Sequence, residues 1–174
     1  MNYFEFYKIP IAFFLEEKAL KKQFYKLSKQ YHPDFYTLES EEKQAEVLEL
    51  STLNNEAYKT LSNFDKRMKY ILELKGALAE EGKNKIPQLF LMEMMDINEA
   101  LMELEFDFEE EAFKKTKAEV AAKETALLNE IEPVLRAFDS NPEKFNQNLN
   151  QIKGHYLKKR YLLRLQENLA KFNH

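Results

Sequence analysis

An all-α fold is what this sequence predicts: four helices in the N-terminal part, then an elbow, then a C-terminal three-helix bundle. Three observations carry that reading. Only three glycines and five prolines occur in 174 residues, fewer than turn-rich β architectures need. Apolar residues recur at spacings of three and four along most of the chain, the period of helices with one buried face. Hydrophobic residues make up 44% and charged residues 32%, the balance of a globular protein with packed cores rather than a disordered chain.

Residues 3–8 predict a short helix that Pro10 ends. Ile11 to Leu15 is an apolar run, and Glu16 and Glu17 suit the first turn of the next helix. In that helix Leu20, Phe24, Leu27 and Tyr31 follow one another at four, three and four residues. At about 100° per residue they fall in one narrow arc. Lys18, Lys22 and Lys29 point the opposite way, with Lys21 and Lys26 at the flanks. Pro33 stops the helix, and the residue before a proline leaves the helical region, so His32 is expected just past its end. Residues 32–40 read as a loop. Ser40 is the expected N-cap of a helix over residues 41–62, with Lys43 where a capping box would place glutamate. Leu50, Leu53, Ala57 and Leu61 are its expected buried face, and a shorter helix runs from about Phe64 to Leu74.

Residues 75–87 hold Gly76, Gly82, Asn84 and Pro87 and read as the boundary between two parts. Beyond it, Phe90, Met94, Ile97, Leu101, Leu104 and Phe108 alternate spacings of four and three, a seam for packing against other helices. A long helix is expected over residues 108–138, with Pro133 as a kink. Ser140-Asn141-Pro142 reads as a turn with Pro142 at a first helical position. A last helix to about Phe172 uses Leu162, Leu165, Leu169 and Phe172. Three such antiparallel helices make a bundle. Between Gln88 and Phe113 stand nine acidic residues and no basic one, whereas from Pro142 onward there are seven Lys/Arg against two Glu. Attraction between neighbouring helices is the plain explanation.

Composition also excludes several classes. Without cysteine there is no disulfide, thiol catalysis or thiolate metal site. A net charge of −4 supplies no general basic field for nucleic acid. No apolar run reaches the roughly 18 residues of a transmembrane helix, and Asn2 to Tyr7 lacks the positive region of a signal peptide. A cytoplasmic protein with neither membrane nor nucleic-acid partner is the expectation.

Tyr31-His32-Pro33-Asp34 becomes informative through its setting: a short helix, a lysine-faced helix, the tripeptide, then a long helix. A lone histidine at a helix end is ordinarily a partner of the helix dipole. Here, however, the third helix holds Leu53-Asn54-Asn55-Glu56-Ala57-Tyr58-Lys59-Thr60-Leu61, followed by Lys66-Arg67-Met68-Lys69-Tyr70, and the chain opens with Tyr3-Phe4-Glu5-Phe6-Tyr7. Together these resemble the J domain, over residues 1–75. The resemblance implies a long antiparallel helical hairpin that presents His32, Pro33 and Asp34 to a DnaK-type chaperone ATPase. Lys21, Lys22, Lys26 and Lys29, with Lys18 beside them, would meet an acidic surface of that ATPase. Exposed lysines steer and orient more than they add affinity. Asp34, beside a rigid proline, could accept a charge-assisted hydrogen bond. Many J domains have Lys or Arg directly after the tripeptide; this chain has Phe35.

The remainder, an elbow at 76–87 and a bundle at 88–174, has neither a Gly/Phe-rich segment nor a cysteine-rich module. Its layout, the run Leu72-Glu73-Leu74-Lys75-Gly76 and the segment Leu89-Phe90-Leu91-Met92-Glu93-Met94-Met95-Asp96-Ile97-Asn98-Glu99-Ala100-Leu101 resemble the HscB-type (Jac-type) J-proteins, which serve iron–sulfur cluster assembly. That resemblance implies a DnaK/HscA-type chaperone partner and an iron–sulfur scaffold docked on Leu91, Met92, Met95, Asp96, Glu99 and Glu103, with Tyr161 at the border. A helical wheel agrees that a binding face exists. With the seam buried, Leu91, Met95 and Met102 lie to one side, and Met92, Asp96, Glu99 and Glu103 continue round the exposed face. Methionines rimmed by acids suit an adaptable partner surface. The plainer alternative is that Leu91, Met95 and Met102 only touch the third helix of the bundle.

Other readings are weaker. The same J domain could serve a different folded client. His32 and Asp34 as an acid–base pair lack a second histidine, a cysteine or a pocket signal. A carboxylate-bridged metal bundle needs Glu-x-x-His, and neither His155 nor His174 has glutamate three residues before it. Lys158, Lys159, Arg160 and Arg164 cluster on the last helix, but overall acidity argues against nucleic acid. No catalytic residue, metal site or cofactor is therefore expected.

Overall fold

In the computed structural model, residues 1–80 and 82–172 are described, the side chains of Phe145 and Asn146 excepted. Every regular element among them is helical: α1 (Tyr3–Tyr7), α2 (Glu17–Gln30), α3 (Glu41–Leu61), α4 (Phe64–Leu74), α5 (Gln88–Glu93), α6 (Met95–Phe106), α7 (Glu110–Ser140) and α8 (Leu149–Ala170). Short 3-10 turns cover Pro33–Tyr36 and Pro142–Gln147. The chain divides into two compact units, Met1–Leu74 and Lys75–His174. Residues 75–87, expected as an elbow, go with the second.

In the first unit, Asn2 and Glu5 form a capping box that starts α1. Lys8 ends it in the left-handed region at φ 57°, where its N–H reaches the Glu5 carbonyl and that of Ile9 the Phe4 carbonyl. This is the usual reversal at a helix end, made here without glycine. α2 and α3 pack side by side as a hairpin. Leu20 and Leu27 are buried. Phe24 stacks on Tyr58 with ring centres 4.3 Å apart, and Tyr31 on Phe6 at 6.5 Å. The four positions of the predicted stripe thus all face the core, and Lys18, Lys21, Lys22, Lys26 and Lys29 are exposed. Ser40 caps α3 by accepting from the Lys43 N–H at 3.2 Å.

The buried line of α3 differs from expectation. Leu50 and Leu53 are only half-buried, and the line runs Val47, Asn54, Ala57, Leu61. Asn54 is 1% exposed because every polar atom of its side chain has a partner. Its Oδ1 accepts from the Tyr7 hydroxyl at 2.8 Å. Its Nδ2 donates to the Phe24 carbonyl at 3.2 Å and to Ser28 Oγ at 3.0 Å. Burial without such partners would be costly. α4 is held to α3 by the buried Arg67, whose Nε donates to the Phe13 carbonyl at 2.8 Å and whose Nη1 donates to that of Leu61. The last α3 carbonyls, which no helical N–H reaches, are partly met in this way.

The second unit has its core at Phe90, Met94, Ile97, Leu101, Leu104, Phe113, Val120, Leu162, Leu165 and Leu169. A further buried group, Ile131, Leu135, Phe138, Ile152, Tyr156 and Leu157, lies on the far stretches of α7 and α8. Two corrections apply to the predicted seam. First, the helix through it is broken at Met94 (φ −85°, ψ −6°), which divides α5 from α6. Second, Phe108 is not on the seam. α6 ends at Phe106, Asp107 is extended, and α7 starts at Glu110. The chain reverses there, and the half-exposed Phe108 ring packs on Phe113 at 5.6 Å and Phe172 at 5.7 Å. Pro133 lies within α7. Glu93 of α5 pairs with Lys123 of α7 at 3.3 Å, so the acidic segment is answered there from the middle helix.

Candidate partner-binding sites

In the first unit the tripeptide stands where α2 hands over to the Pro33–Tyr36 turn. His32 is extended (φ −72°, ψ 121°), as its following proline demands, and Pro33 opens the 3-10 turn. The segment read as a plain loop is therefore partly helical. Its backbone is braced on both sides. The Tyr36 hydroxyl donates to the Gln30 carbonyl at 2.6 Å. Gln44 on α3 donates to the carbonyls of Thr37 at 3.3 Å and Glu39 at 2.9 Å. The side chains of the tripeptide are turned to solvent: those of His32 and Asp34 are 52% and 84% exposed.

His32 Nδ1 accepts the Asp34 N–H at 3.3 Å, which requires that nitrogen to lack its proton. The Asp34 carboxylate lies 3.7 Å from the same atom, a contact that counts only for a charged ring. Phe35 stands against His32 with ring centres 5.4 Å apart and is 73% exposed. A braced backbone with outward polar and aromatic side chains can dock on a partner.

Along α2, the five lysines ring Tyr25, which is 54% exposed. Lys21 Nζ sits 5.9 Å from the centre of its ring, within cation–π reach. Sequence reasoning missed Tyr25, although its place three and four residues after Lys22 and Lys21 puts it on the lysine face. Burial raises the Tyr7 phenol behind this surface well above its usual range, with the neighbouring Tyr58 adding to the rise. Tyr3 is raised by burial first, then by Glu56 and Tyr70.

In the second unit, Leu91, Met92, Met95 and Met102 are exposed, so the third helix does not cover them. Asp96, Glu99 and Glu103 are exposed as well. These residues form one face of α5–α6 with two edges. On one edge, Asp96 and Glu103 line a groove shared with Lys115, Glu119 and Lys123 of α7. On the other, Tyr161 of α8 accepts from Asn98 Nδ2 at 2.6 Å and sets its ring edge-on to Phe90 at 5.6 Å. Tyr161 is half-buried and fastens α8 to α6 beside the stripe. Among the described residues no group of His, Cys, Asp or Glu could hold a metal ion, and no helix is long and apolar enough to cross a membrane.

A helical hairpin with an exposed His-Pro-Asp turn beside a basic face defines a J-domain protein, and the DnaJ-domain family model matches residues 3–70. A second family model, described as the HSCB C-terminal oligomerisation domain, matches residues 86–170. Together the two models match an N-terminal DnaJ domain and a C-terminal HscB-type domain in this one chain. A co-chaperone protein HscB homolog from Psychromonas ingrahamii is 33% identical over 102 residues, 58% of this chain and 60% of that one. Co-chaperone protein HscB from Buchnera aphidicola is 43% identical over 76 residues, 44% of each chain. These matches thus span about 60% or less of the relatives' length. The solved structure of chaperone HscB from Vibrio cholerae superposes with a TM-score of 0.72 at 26% identity, covering 98% of this chain and 96% of that one. Human co-chaperone HscB superposes with a TM-score of 0.76 at 28% identity, covering 98% and 81%.

Proposed function

We propose that this protein is a cytoplasmic co-chaperone that stimulates the ATPase of a DnaK/HscA-type chaperone and delivers an iron–sulfur cluster scaffold protein to it. The observation that carries the reading is the braced, outward-facing His32-Pro33-Asp34 turn at the end of a helix with five exposed lysines. His32, Pro33 and Asp34 dock on the ATPase, and Lys18, Lys21, Lys22, Lys26 and Lys29 steer and orient the encounter. The co-chaperone breaks no bond itself. It binds one conformation of the chaperone better than the other and so shifts the balance between them, a coupling free energy rather than catalysis.

Leu91, Met92, Met95, Asp96, Glu99 and Glu103 hold the scaffold, with Tyr161 bracing one edge. The cluster is cargo on the scaffold; the co-chaperone needs no cofactor. Relatives named co-chaperone protein HscB support this assignment. The test is single-turnover ATP hydrolysis by the organism's DnaK-type chaperones, with and without scaffold, comparing this chain with its His32→Gln variant. Acceleration by the wild type only, enhanced by scaffold, is the expected result. Acceleration without scaffold synergy would keep the chaperone partner and remove the iron–sulfur cargo, leaving another folded client. No acceleration would remove the whole reading.

A further inference from the structure

The apolar stripe on α5–α6 does not stop where the predicted scaffold face stops. Met95 is 57% exposed, Met102 69% and Phe106 96%. Within α6, residues 95, 102 and 106 are spaced by seven and four, which keeps them on one side of the helix. At 1.5 Å per residue that line is about 16 Å long, with Leu91 of α5 beyond its start. Exposed phenylalanines of this degree are unusual on a surface that meets only water, and a contiguous apolar line edged by charge marks an interaction site. Around its far end Glu99, Glu103, Glu105, Asp107 and Glu109 are exposed, with no base between residues 88 and 113; of the next acids, Glu110 is paired with Lys114 of α7 at 3.3 Å.

We propose that Met102 and Phe106 belong to the scaffold-binding face and carry its apolar line past Glu103 to the end of α6, and that the partner surface is an apolar socket for Phe106 rimmed by lysine and arginine. This inference rests on the reading of the α5–α6 face as the cargo site. Charge decides the occupant. Two copies of this chain related by a two-fold axis would set the acids of one α6 against the acids of the other, which is repulsive. A basic-rimmed partner instead pairs the acids that lie along α6, Glu99, Glu103 and Glu105, as it covers the stripe. A buried aromatic anchor ringed by polar contacts is the usual arrangement of a strong interface position.

The experiment is a calorimetric titration of the cluster-free scaffold protein into the full chain, into Phe106→Ser and into Phe106→Leu, with the mass of each free chain determined by light scattering. Phe106→Ser is expected to weaken scaffold binding about tenfold or more, and Phe106→Leu to restore most of the affinity. Scaffold-free ATPase stimulation, which depends on the other unit, should stay the same. Phe106→Ser binding within twofold of wild type would overturn the extension while leaving the cargo site itself intact. A free wild-type dimer that Phe106→Ser converts to monomer would assign the stripe to self-association and overturn it too. Wild type that binds no scaffold would remove the extension together with the cargo reading.

Discussion

The Tyr7 hydroxyl donates to Asn54 Oδ1 at 2.8 Å, joining α1 to the middle of α3 through a buried polar contact. Asn54 passes the connection on to Phe24 and Ser28 of α2, so one amide fixes the mutual register of three helices. Asn54→Ala is expected to lower stability by about 2 kcal/mol, because it removes three buried side-chain hydrogen bonds, leaves the Tyr7 hydroxyl only the Asn54 carbonyl at 3.2 Å and opens a void. Tyr7→Phe should cost about 1 kcal/mol. Urea unfolding of the three proteins, followed by circular dichroism, checks both values.

The same pair gives a pH dependence. Tyr7 is raised by burial above its ordinary value of 10.0, so the folded state favours the neutral phenol. Below about pH 10 the phenol is protonated in both states and stability is undiminished. Above that the unfolded chain ionises first, and stability falls as pH rises toward the folded value. Urea midpoints at pH 9 and 11 should therefore separate more for wild type than for Tyr7→Phe.

In the proposed function the lysine face works by charge, which salt screens. Lys22→Ala/Lys26→Ala should raise the co-chaperone concentration for half-maximal ATPase stimulation about tenfold at low salt. The gap should narrow as ionic strength rises, since screening weakens what the lysines contribute. Stability should change by less than about 0.5 kcal/mol, both side chains being exposed. A salt series of stimulation curves reads the effect.

Tyr161 separates bracing from binding. Its hydroxyl is occupied by Asn98 at 2.6 Å, so Tyr161→Phe should cost about 1 kcal/mol of stability and alter scaffold affinity less than twofold. Met92→Ser, at an outward position, should do the reverse. Melting curves and scaffold titrations of the two variants distinguish the roles.

Helices carried by apolar period and by punctuation were legible: Pro33 and Ser40 mark the hand-over between α2 and α3, and Leu20 to Tyr31 mark the packed side of α2. Asn54 was not legible, because a polar residue inside a helix reads as surface until its partners from other helices are known. The break at Met94 carries neither glycine nor proline and leaves the seam's period undisturbed. Phe108 continued that period by coincidence while standing in the reversal between α6 and α7. At the candidate sites, helical period placed the lysines and the methionine stripe on outward faces, while the tripeptide stood out through the resemblance to the J domain. It missed Tyr25 and Phe106, since aromatic residues are assigned to a core by default and only solvent exposure reveals that these two have none.

The bonds from Tyr36 to Gln30 and from Gln44 to Thr37 and Glu39 have a kinetic consequence. A turn braced before any partner arrives loses little conformational freedom on docking. Its association should then be governed by diffusion and charge, and the lifetime of the complex by how quickly His32 and Asp34 are released. A cycle of brief, repeated encounters is open to such a turn, in which each visit ends as soon as the partner changes shape.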